Sequence, residues 1–256
     1  MTRVVKIGGR AQGDPSLPGI LRQAWDAAPG KLCIVHGGGD EITAMQKALG
    51  REAAFVGGRR VTSTADLELL RMVLSGTVNK RLVNMFVHAG LPAVGISGED
   101  SALIGAEIID RASLGFAGSP KRIEPRVLKT LLQAGFLPIV SPVAYDLSSA
   151  AGGTLNVNGD DAAAAIAVSM KADELLFIAD VEGVRDAAGD IVPSIEPGFA
   201  RDLIARGIAA GGMAAKLESA HAALAAGVKR VRISDLAGLA DPKRGTLITH
   251  AEGVLS

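Results

Sequence analysis

Six short apolar runs, rich in β-branched residues, recur along the chain at 4–7, 32–35, 91–96, 137–140, 174–178 and 228–233, each bounded by glycine, proline or a charge. Runs without polar alternation belong to strands covered on both faces, the habit of parallel sheets. The stretches between them are alanine- and leucine-rich and read as helices at 16–28, 40–49, 66–89, 125–134, 160–170 and 213–226, the third with a break expected near Gly76. Strand, helix, strand in repetition is the order of a doubly wound α/β/α sandwich with a mainly parallel central sheet. The Gly-rich segment 104–122 interrupts this order and reads as a small hairpin or lid, and a turn at 186–190 implies another hairpin joining 184 to 191–192. Two closely packed lobes are expected, 1–150 and 151–256, with the seam at 145–155 where small residues cluster.

Charge and composition exclude several functions. With 27 basic and 27 acidic residues, the chain has no broad basic field for nucleic acid or anionic lipid. It contains no uninterrupted apolar stretch of about 18 residues and no signal-like start, so a cytoplasmic location is expected. The single cysteine, Cys33, excludes an internal disulfide and a multi-cysteine metal site, and its apolar neighbours make it a buried hydrophobe. His36, His88, His221 and His250 show no metal-ligand spacing, and no metal held by the protein is expected.

Glycine supplies 32 of the 256 residues, well above the usual share of about 7%. It gathers where strands end: Lys6-Ile7-Gly8-Gly9 closes the first, and His36-Gly37-Gly38-Gly39 closes the second and opens a helix. Ligands of open α/β sheets bind at the carboxyl ends of strands, and a helix N-terminus there offers free N–H groups to an anion. These loops read as an anion cradle. The familiar phosphate motifs G-x-x-x-x-G-K-[ST] and G-x-G-x-x-G are missing, and the His-Gly-Gly-Gly run has no G-x-S-x-G nucleophile to make it an esterase loop.

Four sets of polar residues sit beside the cradle. Lys6 ends an apolar strand, where an unpaired ammonium is costly. Asn156-Val157-Asn158-Gly159-Asp160-Asp161 precedes an alanine-rich helix; an N-cap would account for one of the acids, and two amides with two carboxylates at one helix mouth point to polar recognition. Gly211-Gly212-Met213-Ala214-Ala215-Lys216 starts another helix and puts Lys216 in its first turn, where the helix dipole disfavours a cation unless a phosphate shares the site. Arg59-Arg60 can grip a carboxylate through paired bonds.

Together, Lys6-Ile-Gly-Gly, His36-Gly-Gly-Gly, Gly58-Arg-Arg60-Val-Thr62, Asn156-Val-Asn158-Gly-Asp160, Ala179-Asp180-Val181-Glu182-Gly183 and Gly211-Gly-Met-Ala-Ala-Lys216 resemble, in order and spacing, the motifs of the amino acid kinase family. The resemblance covers essentially the whole chain. It implies the open αβα sandwich of carbamate kinase-like proteins, an N-terminal lobe that binds an acylated amino acid and dimerises, and a C-terminal lobe that binds ATP. The implied reaction phosphorylates the γ-carboxylate of N-acetyl-L-glutamate, with Mg²⁺ held mainly through the nucleotide phosphates. Carried over position by position, Lys6 and Lys216 would stabilise the transferring phosphoryl group and Asp160 would hold them. Gly38, Gly39, Arg60 and Asn156 would bind the substrate. Gly8, Gly9, Asp180, Val181, Gly183, Ile208, Gly211 and Gly212 would meet ATP. Two rival readings are a kinase acting on an aminoadipyl or glutamyl group attached to a carrier protein, and a non-catalytic sensor of ATP or amino acids. Arginine-inhibited relatives carry an extra N-terminal helix, so an arginine-insensitive homodimer is the expectation here.

Overall fold

The computed structural model describes residues 1–249, and His250 lies outside the described residues. The strands are β1 (Arg3–Ile7), β2 (Leu32–His36), β3 (Phe55–Val56), β4 (Arg59–Arg60), β5 (Ala93–Gly98), β6 (Ile104–Ile108), β7 (Ala117–Ile123), β8 (Leu137–Asp146), β9 (Thr154–Val157), β10 (Glu174–Ile178), β11 (Ser194–Ile195), β12 (Val231–Ser234) and β13 (Thr246–Ile248). The α-helices are α1 (Leu17–Ala27), α2 (Gly39–Ala48), α3 (Thr64–Arg71), α4 (Asn79–His88), α5 (Arg111–Leu114), α6 (Arg126–Gln133), α7 (Gly159–Ser169), α8 (Pro197–Ala205) and α9 (Gly211–Ala225).

One sheet carries the order β11-β13-β12-β10-β1-β2-β8-β6-β7-β9, with β5 beside β8. Its centre is parallel: β1 pairs with β2 and β10, β2 with β8, and β10 with β12. Alternate residues of these strands serve opposite faces. Val4, Val35, Leu175 and Phe177 join a core with α7, α8 and α9, whereas Val5, Ile34, Leu176 and Ile178 join one with α1 to α4. This is the α/β sandwich expected, and both faces of the central strands are apolar because both are covered.

Several elements differ in detail from the sequence reading. The helix at 66–89 does not break at Gly76; α3 and α4 are joined by a π-helical stretch, Met72–Val78. The strand expected at 91–96 begins only at Ala93, because Leu91 N–H still donates to Phe86 at the helix end and Pro92 has no N–H for a ladder. Likewise 228–230 finish the turn after α9, with Val228 N–H bonded to Ala223, and β12 starts at Val231. The 104–122 segment is a hairpin, β6 and β7 pairing antiparallel around α5. The 184–192 hairpin shrinks to a single bridge between Arg185 and Ile191.

Candidate active site

Lys6 is the penultimate residue of β1 and its side chain is 10% exposed. The ammonium curls back over the loop that follows the strand. A Cβ on Gly8 would lie 2.6 Å from Lys6 Nζ, and one on Gly159 would lie 3.2 Å from Lys6 Cε. A side chain at either position would push the lysine off its place beside Asp160, and glycine leaves that place free.

The counter-charge comes from α7. Its N-cap is Asn158, whose side-chain oxygen accepts from Asp160 N–H at 2.8 Å. Neither Asp160 nor Asp161 serves as the cap, and both carboxylates are engaged by cations. Lys6 Nζ lies 2.8 Å from Asp160 Oδ1, and Lys216 Nζ lies 3.1 Å from Asp160 Oδ2. Lys216 sits on α9, which starts at Gly211, so it occupies the second helical turn rather than the first. The dipole penalty invoked for the first turn fades there, and the partner carboxylate accounts for its position. Burial alone would raise the Asp160 pKa, but Lys6 and Lys216 outweigh it and hold the group below the ordinary carboxylate range. Burial, and then the nearby Lys6 charge, lower the Lys216 pKa against the pull of Asp160. Two cations and one anion leave a net positive charge in a site shielded from water.

A cavity of about 200 Å³ opens beside this trio, lined by Lys6, Gly38, Gly39, Arg60, Asn156 and Asp160 among others. Gly38 precedes α2 and Gly39 begins it, so the helix N-terminus faces the cavity. Arg60 is 8% exposed. It donates to Gln46 Oε1, to Gly39 O at 2.9 Å and to Thr43 Oγ1 at 2.8 Å, and stacks on the Phe55 ring at 4.7 Å. None of these direct partners is a carboxylate, and Asp66 and Asp40 act on the fixed guanidinium only from beyond them. Asn156 is oriented by donating to Thr62 Oγ1 at 2.9 Å, and that hydroxyl donates onward to Arg60 O.

The remaining predicted residues do not line this cavity. Asp180 pairs with Arg10 at 3.1 Å, across from the left-handed Gly9. Val181 is exposed, and Ile208 lies in the turn after α8, its N–H donating to Leu203 O at 3.0 Å. Open space surrounds Gly211 and Gly212 at the start of α9. Gly183 has a packing reason of its own, since a Cβ there would lie 2.7 Å from Thr246 Oγ1.

A model of the amino acid kinase family matches residues 1–235. The chain belongs to the amino acid kinase family. Among its relatives, an acetylglutamate kinase of Cereibacter sphaeroides is 43% identical over 238 residues, covering 91% of this chain and 79% of the relative. An acetylglutamate kinase of Chloroflexus aurantiacus is 40% identical over 251 residues, covering 97% of each. Among solved structures, smu.665 of Streptococcus mutans superposes with a TM-score of 0.86 at 31% identity, over 97% of this chain and 98% of that one. Carbamate kinase of Giardia lamblia bound to AMP-PNP, at 17% identity and a TM-score of 0.73 over 97% and 98%, shares the fold.

In this member of the family, polar groups are buried beneath the glycine loop, and the sequence reading, which named His36 only within its motif, gave them no supporting part. His36 is fully buried; its Nδ1–H donates to Gly37 O at 2.9 Å, and its Nε2 accepts from Asn79 Nδ2 at 3.1 Å. Asn79 Nδ2 also donates to Ile139 O, and Gln12 Nε2 donates to Gly37 O at 3.0 Å. Burial pushes the His36 pKa down to about 4, so the imidazole is neutral and serves as a strut. The available signal was Asn79 standing three and seven residues before Leu82 and Phe86, on the apolar face of a helix.

Proposed function

We propose that the chain transfers the γ-phosphoryl group of ATP to the γ-carboxylate of N-acetyl-L-glutamate, giving N-acetylglutamyl 5-phosphate and ADP. The observation that carries this reading is the Lys6–Asp160–Lys216 trio, placed beside a small cavity that the Arg60 guanidinium lines. The names of the 40–43% identical relatives supply the acceptor, and they favour neither a carrier-linked acyl group nor a sensor. A carboxylate with a pKa near 4.3 is already an anion at neutral pH and needs no general base. One of its oxygens bonds to the γ-phosphorus as the bond from that phosphorus to the bridging oxygen breaks, and ADP leaves with the electron pair. The obstacle is repulsion between the two anions. Lys6 and Lys216 meet the charge spread over the phosphoryl oxygens, and the N–H groups at the start of α2 add to them. Asp160 spaces the lysines and keeps the empty site from repelling itself.

In this reading Gly38, Gly39, Arg60 and Asn156 hold the acyl amino acid in the 1–150 lobe and at its border. Gly8, Gly9, Asp180 to Gly183, Ile208 and Gly211 to Gly212 receive the nucleotide on the 151–256 side. Among the described residues no three His, Cys, Asp or Glu side chains gather as a metal site, and Asp160 and Asp180 are already engaged by cations. Mg²⁺ bound to the nucleotide phosphates supplies further charge neutralisation.

The protein is read as a cytoplasmic homodimer. Among the described residues no helix is long and apolar enough to cross a membrane. Among the described residues β5 pairs on one edge only, and an open strand edge of this kind favours association. The test of the activity is ADP release that depends on free N-acetyl-L-glutamate, with the acyl phosphate trapped by hydroxylamine. Release of ADP unaffected by that acceptor refutes the assignment.

A further inference from the structure

Arg59 and Arg60 are neighbours on β4 and leave it in opposite directions, as successive strand residues do. Arg60 turns toward α2 and the cavity. Arg59 crosses to α7, where its Nη1 lies 2.6 Å from Asp161 Oδ2, the two side chains 32% and 22% exposed. The other oxygen, Asp161 Oδ1, accepts from Ser219 Oγ on α9 at 2.8 Å. Ser219 is buried and stands three residues beyond Lys216, one turn along the same helix face. The adjacent acids of α7 thus both reach α9: Asp160 takes Lys216, and Asp161 takes Ser219 while also holding Arg59.

The hairpin at the other end of this chain is anchored on its far side by Arg60, which bonds to α2, and it meets the α7–α9 unit through Arg59. β3 and β4 are two residues each, and Phe55 and Val56 are exposed. A two-stranded ribbon of that size is marginal in water. Among the described residues, Arg59–Asp161 is its one ion pair to the α7–α9 unit. We propose that Arg59 and Asp161 are positioning residues that couple the acyl-substrate hairpin to the helix carrying Lys216, so that a nucleotide at α9 orders the hairpin. The inference rests on the kinase reading for the nucleotide and does not depend on which acceptor is used. An ordinary surface ion pair would add a fraction of a kcal/mol to stability and transmit nothing. Coupling between sites is a separate observable.

The test is backbone hydrogen exchange at residues 55–61 of the full chain, with and without AMP-PNP and Mg²⁺. It compares the wild type with Arg59→Ala, Arg59→Lys, Asp161→Asn and the double variant Arg59→Ala/Asp161→Asn. Asp161→Asn keeps the side-chain shape and an oxygen for Ser219, which protects the fold. The nucleotide is expected to slow wild-type exchange at least about fivefold. That slowing is expected to vanish in Arg59→Ala and Asp161→Asn, to be no further reduced in the double variant, and to survive in part in Arg59→Lys. Slowing that persists in both single variants, or is missing from a wild type that binds AMP-PNP, overturns the proposal. A wild type that does not bind AMP-PNP overturns the kinase reading and this inference with it.

Discussion

Asp160 sets the chemistry of two lysines at once. Its carboxylate favours the charged form of Lys216, while burial and Lys6 oppose it. Asp160→Asn removes the favourable contribution, so the alkaline limb of kcat is expected to move to lower pH; a pH–rate profile unchanged on that limb contradicts the role. Lys6→Ala and Lys216→Ala are each expected to lower kcat by about 10²- to 10³-fold, with the KM of either substrate changing far less, because these charges act on the transferring group. Steady-state kinetics with both substrates varied separates the two effects. His36 gives a stability test. Its folded pKa of about 4 lies below the ordinary 6.5, so the folded chain resists a proton that the unfolded chain accepts. Its neutral form contributes fully above pH 6.5, and stability falls as the pH drops from there toward 4, by up to about 3 kcal/mol. Urea midpoints from pH 4.5 to 8 should show this slope in the wild type and a shallower one in His36→Gln. Equal slopes would mean that the imidazole is not held neutral.

The β3–β4 hairpin shows how much an element of four paired residues can do. Its two-residue turn, Gly57-Gly58, has φ of 56° and 74°, the left-handed pair that a tight hairpin of this hand requires. The turn fixes the register Phe55 opposite Arg60, which lets the ring support the guanidinium. Arg60→Ala is expected to raise the KM for the acyl amino acid by about 10- to 100-fold, at nearly constant KM for ATP; an effect confined to ATP would contradict that placement. Elements such as α2 and α7 were legible because their signals are local: glycines at a strand end, then a helix-forming run. Spacing alone cannot show that Asn158 caps α7 or that Asp160 meets lysines 154 and 56 positions away. The π-helical stretch between α3 and α4 left no mark that distinguishes it from a break at Gly76. β3, β4, β11 and β13 are too short to carry a period of their own.

At the scale of the molecule, the parallel order of the sheet could be read from its apolar runs, whereas the pairing of those runs could not. Lys6, Asp160 and Lys216 were united in the sequence only through the family resemblance, since no spacing relates them. The sheet that unites them runs without interruption from β11 to β9, and β1 hydrogen-bonds to β2 on one side and β10 on the other. A fragment 1–150 lacks β10 and α7, and is expected to show no cooperative urea transition; a sharp one would mean that the lobes fold independently. The register Lys6 opposite Phe177 also carries a consequence for biosynthesis. The strand that bears Lys6 is synthesised well before β10, and its edge facing β10 stays unpaired until more than 170 further residues have emerged. Throughout that interval the nascent chain carries an open apolar strand that can pair with the wrong partner.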